Sequence, residues 1–365
     1  MKKIITVILA FLVLFGVQAK SKGYNGEEAQ NLVRPPLLRM TDNGYRLIWN
    51  DNAKGNQTVK LGKIKGKAVV IQPKKGRVNY KDSGFYADLE NLEAGEKYWV
   101  QIKGHKKIHF TAPKAEDSEL NFNVISDHQT FVPLTEKGFK LVASEKPDFV
   151  ISCGDMLEDG KVKWWHENFF SNLPILEGIP FAAAEGNNDT GRNLFENFFA
   201  IDEQKRWFSC TYGMVRFIIL DSNLRLRKDS EQYEWLEEVL KNNTSRWTFV
   251  VYHHASFLSV SNSNAYTKRL PDVIELFEKY DVDAVFNGHV HFYDRTTPIN
   301  GVTYITLPSM SGKPTKSDVD RNSGFYANQI SPINGYASAY LTAEKLSVKI
   351  KNLEGEVVDE FEVGK

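Results

Sequence analysis

Phe286-Asn287-Gly288-His289-Val290-His291-Phe292-Tyr293-Asp294-Arg295 is the stretch that decides how this chain is read. It follows Val282-Asp283-Ala284-Val285-Phe286, an apolar run of the kind that forms a buried strand. Glycine then lets the backbone turn, and two imidazoles appear two residues apart. On a continuing strand they would face opposite ways. In a loop just past the strand end they can straddle one point, a spacing that suits two metal ions, one per histidine. A lone His-x-His is weak evidence for metal. It gains weight here because four other strand ends carry ligand-type residues.

Those ends follow from the pattern after residue 120. Apolar strands over 122–125, 149–153, 181–184, 215–220, 247–252 and 284–286 alternate with helical segments. The clearest helix is 230–241. Ser230 is its candidate N-cap, and Tyr233, Trp235, Leu236, Val239 and Leu240 form an apolar stripe. Strand–helix alternation implies an α/β core, whose sites form at the carboxyl ends of strands. The first strand runs into Ser126-Asp127-His128-Gln129 and the second into Gly154-Asp155-Met156-Leu157-Glu158. The third runs into Glu185-Gly186-Asn187-Asn188-Asp189, and the fifth into His253-His254.

Residues 24–113 differ. Short strand-like runs, such as Tyr45-Arg46-Leu47-Ile48-Trp49 and Lys67-Ala68-Val69-Val70-Ile71, alternate with turns. Regular short strands without helical periodicity indicate a β-sandwich. The buried tryptophan, and Tyr98 after the Leu92-Glu93-Ala94-Gly95 turn, resemble a fibronectin type III module. Its expected role is support or interaction. Residues 112–119, polar and proline-containing, read as a linker, and 311–336 as a long polar loop carrying Lys313, Lys316 and Arg321. That loop either closes over the site or is a solvated surface segment.

The ordered strand ends resemble the calcineurin-like metallophosphoesterase superfamily, and within it the purple acid phosphatases and their bacterial relatives. The family's blocks are Asp-x-His, Gly-Asp, Gly-Asn-His-Asp/Glu, His and Gly-His-x-His, and counterparts of all five occur here in order, two of them altered. The resemblance spans 120–365 and implies an αββα sandwich of two mixed sheets flanked by helices, preceded by the small all-β module. It further implies two metal ions (iron, zinc or manganese). Asp127, Gln129, Asp155 and His291 would hold one, and Asp155, Asn187, His253 and His289 the other, with Asp155 bridging. The activity implied is hydrolysis of phosphomonoesters by a metal-bound hydroxide. Phosphodiester hydrolysis, or a degenerate homologue that binds a phosphorylated or glycan ligand without turnover, are the alternatives.

Three residues depart from the family pattern. Gln129 stands where the first block has histidine; its amide oxygen can ligate hard ions, or it can point elsewhere. His128 beside it is left out of the ligand set. Glu158 stands where purple acid phosphatases carry the tyrosine whose phenolate gives their colour, so the protein should be colourless. Asn188 replaces a histidine close to the leaving group, and an amide cannot deliver a proton at pH 7. His254 is a candidate substitute acid. Its alternative is a packed histidine that orients a ligand.

Composition limits the rest. Hydrophobic residues at 42% and charged residues at 25% of 365 indicate a globular protein, and a net charge of zero gives no reason to expect nucleic acid or an anionic membrane as partner. The expected partner is a phosphorylated small molecule or macromolecule. Residues 1–19 read as a signal peptide, with Lys2-Lys3, an apolar run from Ile4 to Val17, and small residues at Val17-Gln18-Ala19. That predicts a secreted or periplasmic protein with no membrane attachment after cleavage; an uncleaved anchor is the alternative. Cys153 and Cys210 are expected to be buried thiols.

Overall fold

The computed structural model describes residues 32–51, 57–75, 84–191, 194–201, 205–260 and 270–365. The leader expectation lies outside them. Two sheets face each other. One has ten strands, and its central members Leu120–Ile125, Phe149–Ser152 and Phe181–Ala183 run parallel. The other has seven, with Val215–Ile219, Trp247–His254, Ala284–Gly288 and Thr303–Thr306 parallel to one another. Phe149–Ser152 and Trp247–His254 are buried along their whole length, as expected of parallel strands covered on both faces.

Aromatic side chains join the sheets. Phe149 meets Phe217 edge-on at 5.3 Å between ring centroids, and Phe122 meets Phe217 at 5.8 Å. Helix Val132–Ser144 and the helical turns through Phe170 pack Phe139, Val142, Trp165 and Phe169 on the outer face of the first sheet. Helices Glu231–Lys241 and Pro271–Lys279 cover the second through Leu236, Leu240, Leu276 and Phe277. The layers are therefore α, β, β, α. Ser230 caps its helix as its sequence predicts, accepting the Tyr233 N–H at 3.3 Å.

The N-terminal strands do not form a hydrogen-bonded unit of their own. Leu32–Thr41 pairs in parallel with Phe181–Ala183, so it, Gly44–Asp51, Phe85–Glu90 and Lys74–Lys75 extend the ten-stranded sheet. The other N-terminal strands, Ala68–Ile71, Val59–Lys63, Lys97–Ile102 and Ile108–Thr111, make a separate four-stranded sheet. Leu47 and Trp49 are both fully buried between them. Tyr98 accepts the Glu93 N–H at 3.1 Å through its hydroxyl, pinning the turn before its strand.

Part of the polar segment 311–336 proves to be strand. Tyr326–Ile330 pairs antiparallel with Tyr293–Thr296 as the edge of the seven-stranded sheet. Alternating polar side chains concealed it, because an edge strand need bury little. Both cysteines are buried and free, and desolvation raises the Cys210 thiol to about 12.

Candidate metal centre

Asp127, Asp155, His289 and His291 share an uncommon backbone. Their φ angles are +49°, +53°, +75° and +59°, in the left-handed region that side-chain-bearing residues seldom occupy. Each such residue costs on the order of 1–3 kcal/mol and persists only where its surroundings enforce it. The turns let side chains from different strand ends converge. At His289 and His291 they break the strand alternation that would have sent the two rings apart. Gly186 permits a close approach. A Cβ there would lie 2.1 Å from both the backbone nitrogen and Oδ1 of Asp155.

The converging atoms form two groups that share one member. Ligand atoms of Asp155, His253 and His289 lie within 4.8 Å of one another, as do those of Asp127, Asp155 and His291. His253 Nε2 is 3.4 Å from Asp155 Oδ1, 3.1 Å from Asn187 Oδ1 and 3.2 Å from His289 Nδ1. His291 Nε2 is 3.4 Å from Asp127 Oδ1. Backbone carbonyls fix both rings from behind. His253 Nδ1 donates to Cys153 O at 3.0 Å and His291 Nδ1 to Lys313 O at 2.8 Å, leaving each Nε2 facing the site. Asp127 accepts from Ser126 Oγ at 2.6 Å and from the His289 N–H at 3.0 Å.

These residues fit two cations. Two buried carboxylates, an amide oxygen and three imidazoles are a mixed oxygen–nitrogen donor set suited to divalent first-row metals. His253 Nε2 faces the acceptor oxygens of Asp155 at 3.4 Å and Asn187 at 3.1 Å, a surrounding that favours positive charge. Without metal, a proton supplies it. Burial opposes charge on His253, but Asp155 and Asp127 outweigh it and raise its pKa to about 9. Burial and the charge of His253 lower His289 to about 4. At Asp127, burial is overcome by the hydrogen bond from His291 and by the charges of His253 and His291, which bring it to about 2.

The remaining expected residues fall as follows. Asn188 lies at the site, but it donates through its backbone N–H to Asp155 Oδ1 at 2.8 Å and through Nδ2 to Oδ2 at 3.1 Å. Gln129, oriented to satisfy its neighbours, donates to Asp155 Oδ2 at 3.2 Å and to the Asp155 carbonyl at 3.0 Å, and accepts from Asn188 Nδ2 at 2.9 Å. These bonds brace Asp155 and keep the amide at the site, beside the carboxylate common to both groups. His128 faces away, its Nε2 3.2 Å from Ser152 Oγ and its ring against Phe139, and burial lowers it to about 4. His254 is buried, with Nδ1 2.8 Å from Ser222 Oγ and its ring 4.5 Å from that of His289. It thus has the packing position, the alternative to a proton donor. Glu158 sits at the exposed rim, hydrogen-bonded by Thr130.

Several supporting residues escape sequence reading. Asp189 is fully buried and accepts the N–H groups of Met156 at 2.8 Å and Gly186 at 2.9 Å, tying two ligand loops together; burial and the nearby charge of Asp155 raise it to about 7. Ser309 Oγ donates to Asp127 O at 2.8 Å, and the N–H groups of Ser311 and Gly312 reach the same carbonyl at 3.2 and 3.0 Å. Of these, only Asp189 carried a signal, as the acidic end of its block.

Comparison with known proteins agrees with this geometry. A model of the calcineurin-like phosphoesterase family matches residues 120–293. The chain is 28% identical over 228 residues to probable inactive purple acid phosphatase 24 of Arabidopsis thaliana, covering 53% of this chain and 35% of that protein. It is 25% identical over 184 residues to a nucleotide pyrophosphatase/phosphodiesterase of Hordeum vulgare, covering 42% of this chain and 50% of that one. The matched segments thus span about a third to a half of these relatives' lengths. Among solved structures, purple acid phosphatase PPD1 from yellow lupin (Lupinus luteus) superposes with a TM-score of 0.78 at 19% identity, over 90% of this chain and 74% of that one, a likeness of fold. Residues 120–293, the segment that carries every candidate metal ligand, are thus of the calcineurin-like phosphoesterase family.

Proposed function

We propose that the chain is an exported phosphoesterase that holds two metal ions and hydrolyses phosphomonoesters. The observation that carries this reading is the pair of ligand groups sharing Asp155. A carboxylate has two oxygens and could offer one to each group, and among the described residues Asp155 is the member the two groups share. Asp127 and His291 would hold one ion, and Asn187, His253 and His289 the other. When bound, such ions neutralise phosphate charge and acidify water.

The chain's own residues then orient and exclude. Cys153 O and Lys313 O hold the ring nitrogens of His253 and His291 toward the substrate side. Asp189 keeps the Gly186 and Met156 loops at fixed separation. Asn188, the group beside Asp155 that is partly open to solvent, can hydrogen-bond a phosphoryl or leaving-group oxygen but has no proton to give. Esters with good leaving groups are therefore the substrates it should handle best. Export rests on the apolar leader, and monoester preference on the purple acid phosphatase relatives.

Gln129 and Asn188 also support a second reading, a non-catalytic homologue that binds phosphorylated ligands, and the Arabidopsis relative bears the description probable inactive. Metal analysis together with hydrolysis of an aryl phosphate and a bis-aryl phosphate separates the readings. Two equivalents of metal with monoester turnover is the expected result. Faster diester turnover selects the phosphodiesterase, and phosphate binding without turnover selects the binding protein.

A further inference from the structure

The whole-chain charge of zero conceals a strong asymmetry. Residues 32–113 hold 16 Lys and Arg against 7 Asp and Glu, a net of +9, while residues 114–365 hold 26 against 37, a net of −11. The excess is densest in 57–75, which has six lysines and no acidic residue. This segment contains the hairpin of Val59–Lys63 and Ala68–Ile71, and Ala68–Ile71 is the edge of its four-stranded sheet. Among the described residues, Lys60, Lys65 and Lys67 are exposed and have no ion-pair partner.

The same hairpin exposes aliphatic side chains. Ile64 at its turn is 52% exposed, and Val69 and Val70 on the edge strand are 58% and 57% exposed. These are three of the seven large hydrophobic side chains exposed among the described residues, gathered within seven positions of sequence. Val70 stands directly across from Lys60 in the pairing, so the two share the outward face. Lys65 and Lys67 flank the turn beside Ile64.

We propose that this hairpin is a docking surface for an anionic phospholipid bilayer. Lysines around exposed aliphatics match the chemistry of the bilayer interface, where the ammonium groups meet headgroup phosphates and the aliphatic side chains enter the acyl boundary. All six cations of 57–75 are lysines, which act as point charges on a diffuse anionic surface; no arginine is present to make bidentate contacts with particular phosphates. The exposed side chains at the hairpin are aliphatic, whereas nucleic acid calls for aromatic stacking platforms. The acidic remainder would be repelled by the same surface, so attachment is through the four-stranded sheet that carries this hairpin. The inference is independent of the proposed catalysis.

Vesicle co-sedimentation of the full chain tests it, comparing neutral phosphatidylcholine with phosphatidylcholine containing phosphatidylglycerol, at low and high salt. The expected result is preferential binding to the anionic vesicles that weakens as salt rises. Each lysine near the surface is worth about fivefold, so Lys60→Gln/Lys65→Gln/Lys67→Gln together should lower the anionic preference by about 100-fold. Val70→Ser should weaken binding without altering its salt dependence. Asp155→Asn, which empties the metal centre, should leave vesicle binding unchanged and thereby separates surface docking from headgroups held as substrate. Retention of the anionic preference by the triple lysine variant would overturn the proposal. So would binding of heparin or DNA in place of vesicles, or loss of vesicle binding in Asp155→Asn.

Discussion

Replacing Gly288 by alanine should empty the metal centre while the protein stays folded. The backbone at Gly288 lies outside the left-handed region, so the effect is steric. A Cβ there would lie 1.8 Å from Ser126 Oγ, 2.5 Å from Asp127 Oδ2 and 3.0 Å from Ser126 Cβ. Ordinary contact begins near 3.4 Å, so the Ser126 hydroxyl must swing away, the strand ends must part by a few tenths of an ångström at Ser126 Cβ, and the Asp127 carboxylate must move by about 1 Å. Overpacking of this kind costs about 1–3 kcal/mol, which a protein of this size survives. The larger consequence falls on Asp127, whose carboxylate is held by Ser126 and by the N–H of His289, the residue after the glycine. A displacement of ~1 Å costs about 10²-fold in a positioned site. Metal content by elemental analysis, kcat/KM on an aryl phosphate, and a thermal melt measure the three quantities. The expected result is loss of at least one metal equivalent and about 10²-fold in kcat/KM, with Tm lower by a few degrees. Ser126→Ala/Gly288→Ala removes the shortest contact and leaves the one to Asp127, so it should recover stability more than metal. Full metal content with wild-type kcat/KM in Gly288→Ala would refute the reasoning.

Three more outcomes follow from the site. Asn188→His should raise turnover of alkyl phosphates about 10²-fold, the scale of general acid help, and barely change nitrophenyl phosphate; an equal change on both substrates would reject a role in protonating the leaving group. In metal-free protein, His253 is raised to about 9, so the folded state holds a proton that the unfolded chain releases, and stability falls as pH rises from about 6.5 through 9. The His253 share is on the order of 3 kcal/mol, and chelator-treated melts at pH 7 and 9 should show the loss, whereas metal-loaded protein should not; a Tm that climbs over that range in the metal-free protein contradicts the assignment. The metal-loaded protein should be colourless, since Glu158 at the rim has no phenolate to transfer charge to iron, and a strong visible band would reject that reading of the position.

The sequence went far on the candidate site because metal chemistry draws on few side chains and strand ends are easy to see. Asp127, Asp155, Asn187, His253, His289 and His291 each follow an apolar run, and their convergence was legible before any coordinate. The helix at Glu231–Lys241 was legible through its stripe and cap for the same local reason. Local pattern left His128 out of the ligand set, and the structure turns it away from the site. That depends on the left-handed turn at Asp127, which sends His128 into an aromatic pocket beside Phe139 and Phe169.

Long-range contacts account for what remained hidden. Asp189 is a support because Met156 and Gly186 arrive from separate strands, and Ser309 because its loop crosses Asp127 from 182 residues away. The continuity of Leu32–Thr41 with Phe181–Ala183 is a pairing that neither strand announces, since backbone hydrogen bonds carry no side-chain signature. The valines of Ala68–Ile71 read only as part of a strand, and the sheet order placed them at an exposed edge. Sequence by itself determined the chemistry this chain can support, because residue type sets what an atom can bind. Tertiary structure decided which of those atoms meet, because convergence depends on turns and pairings between segments far apart in the chain.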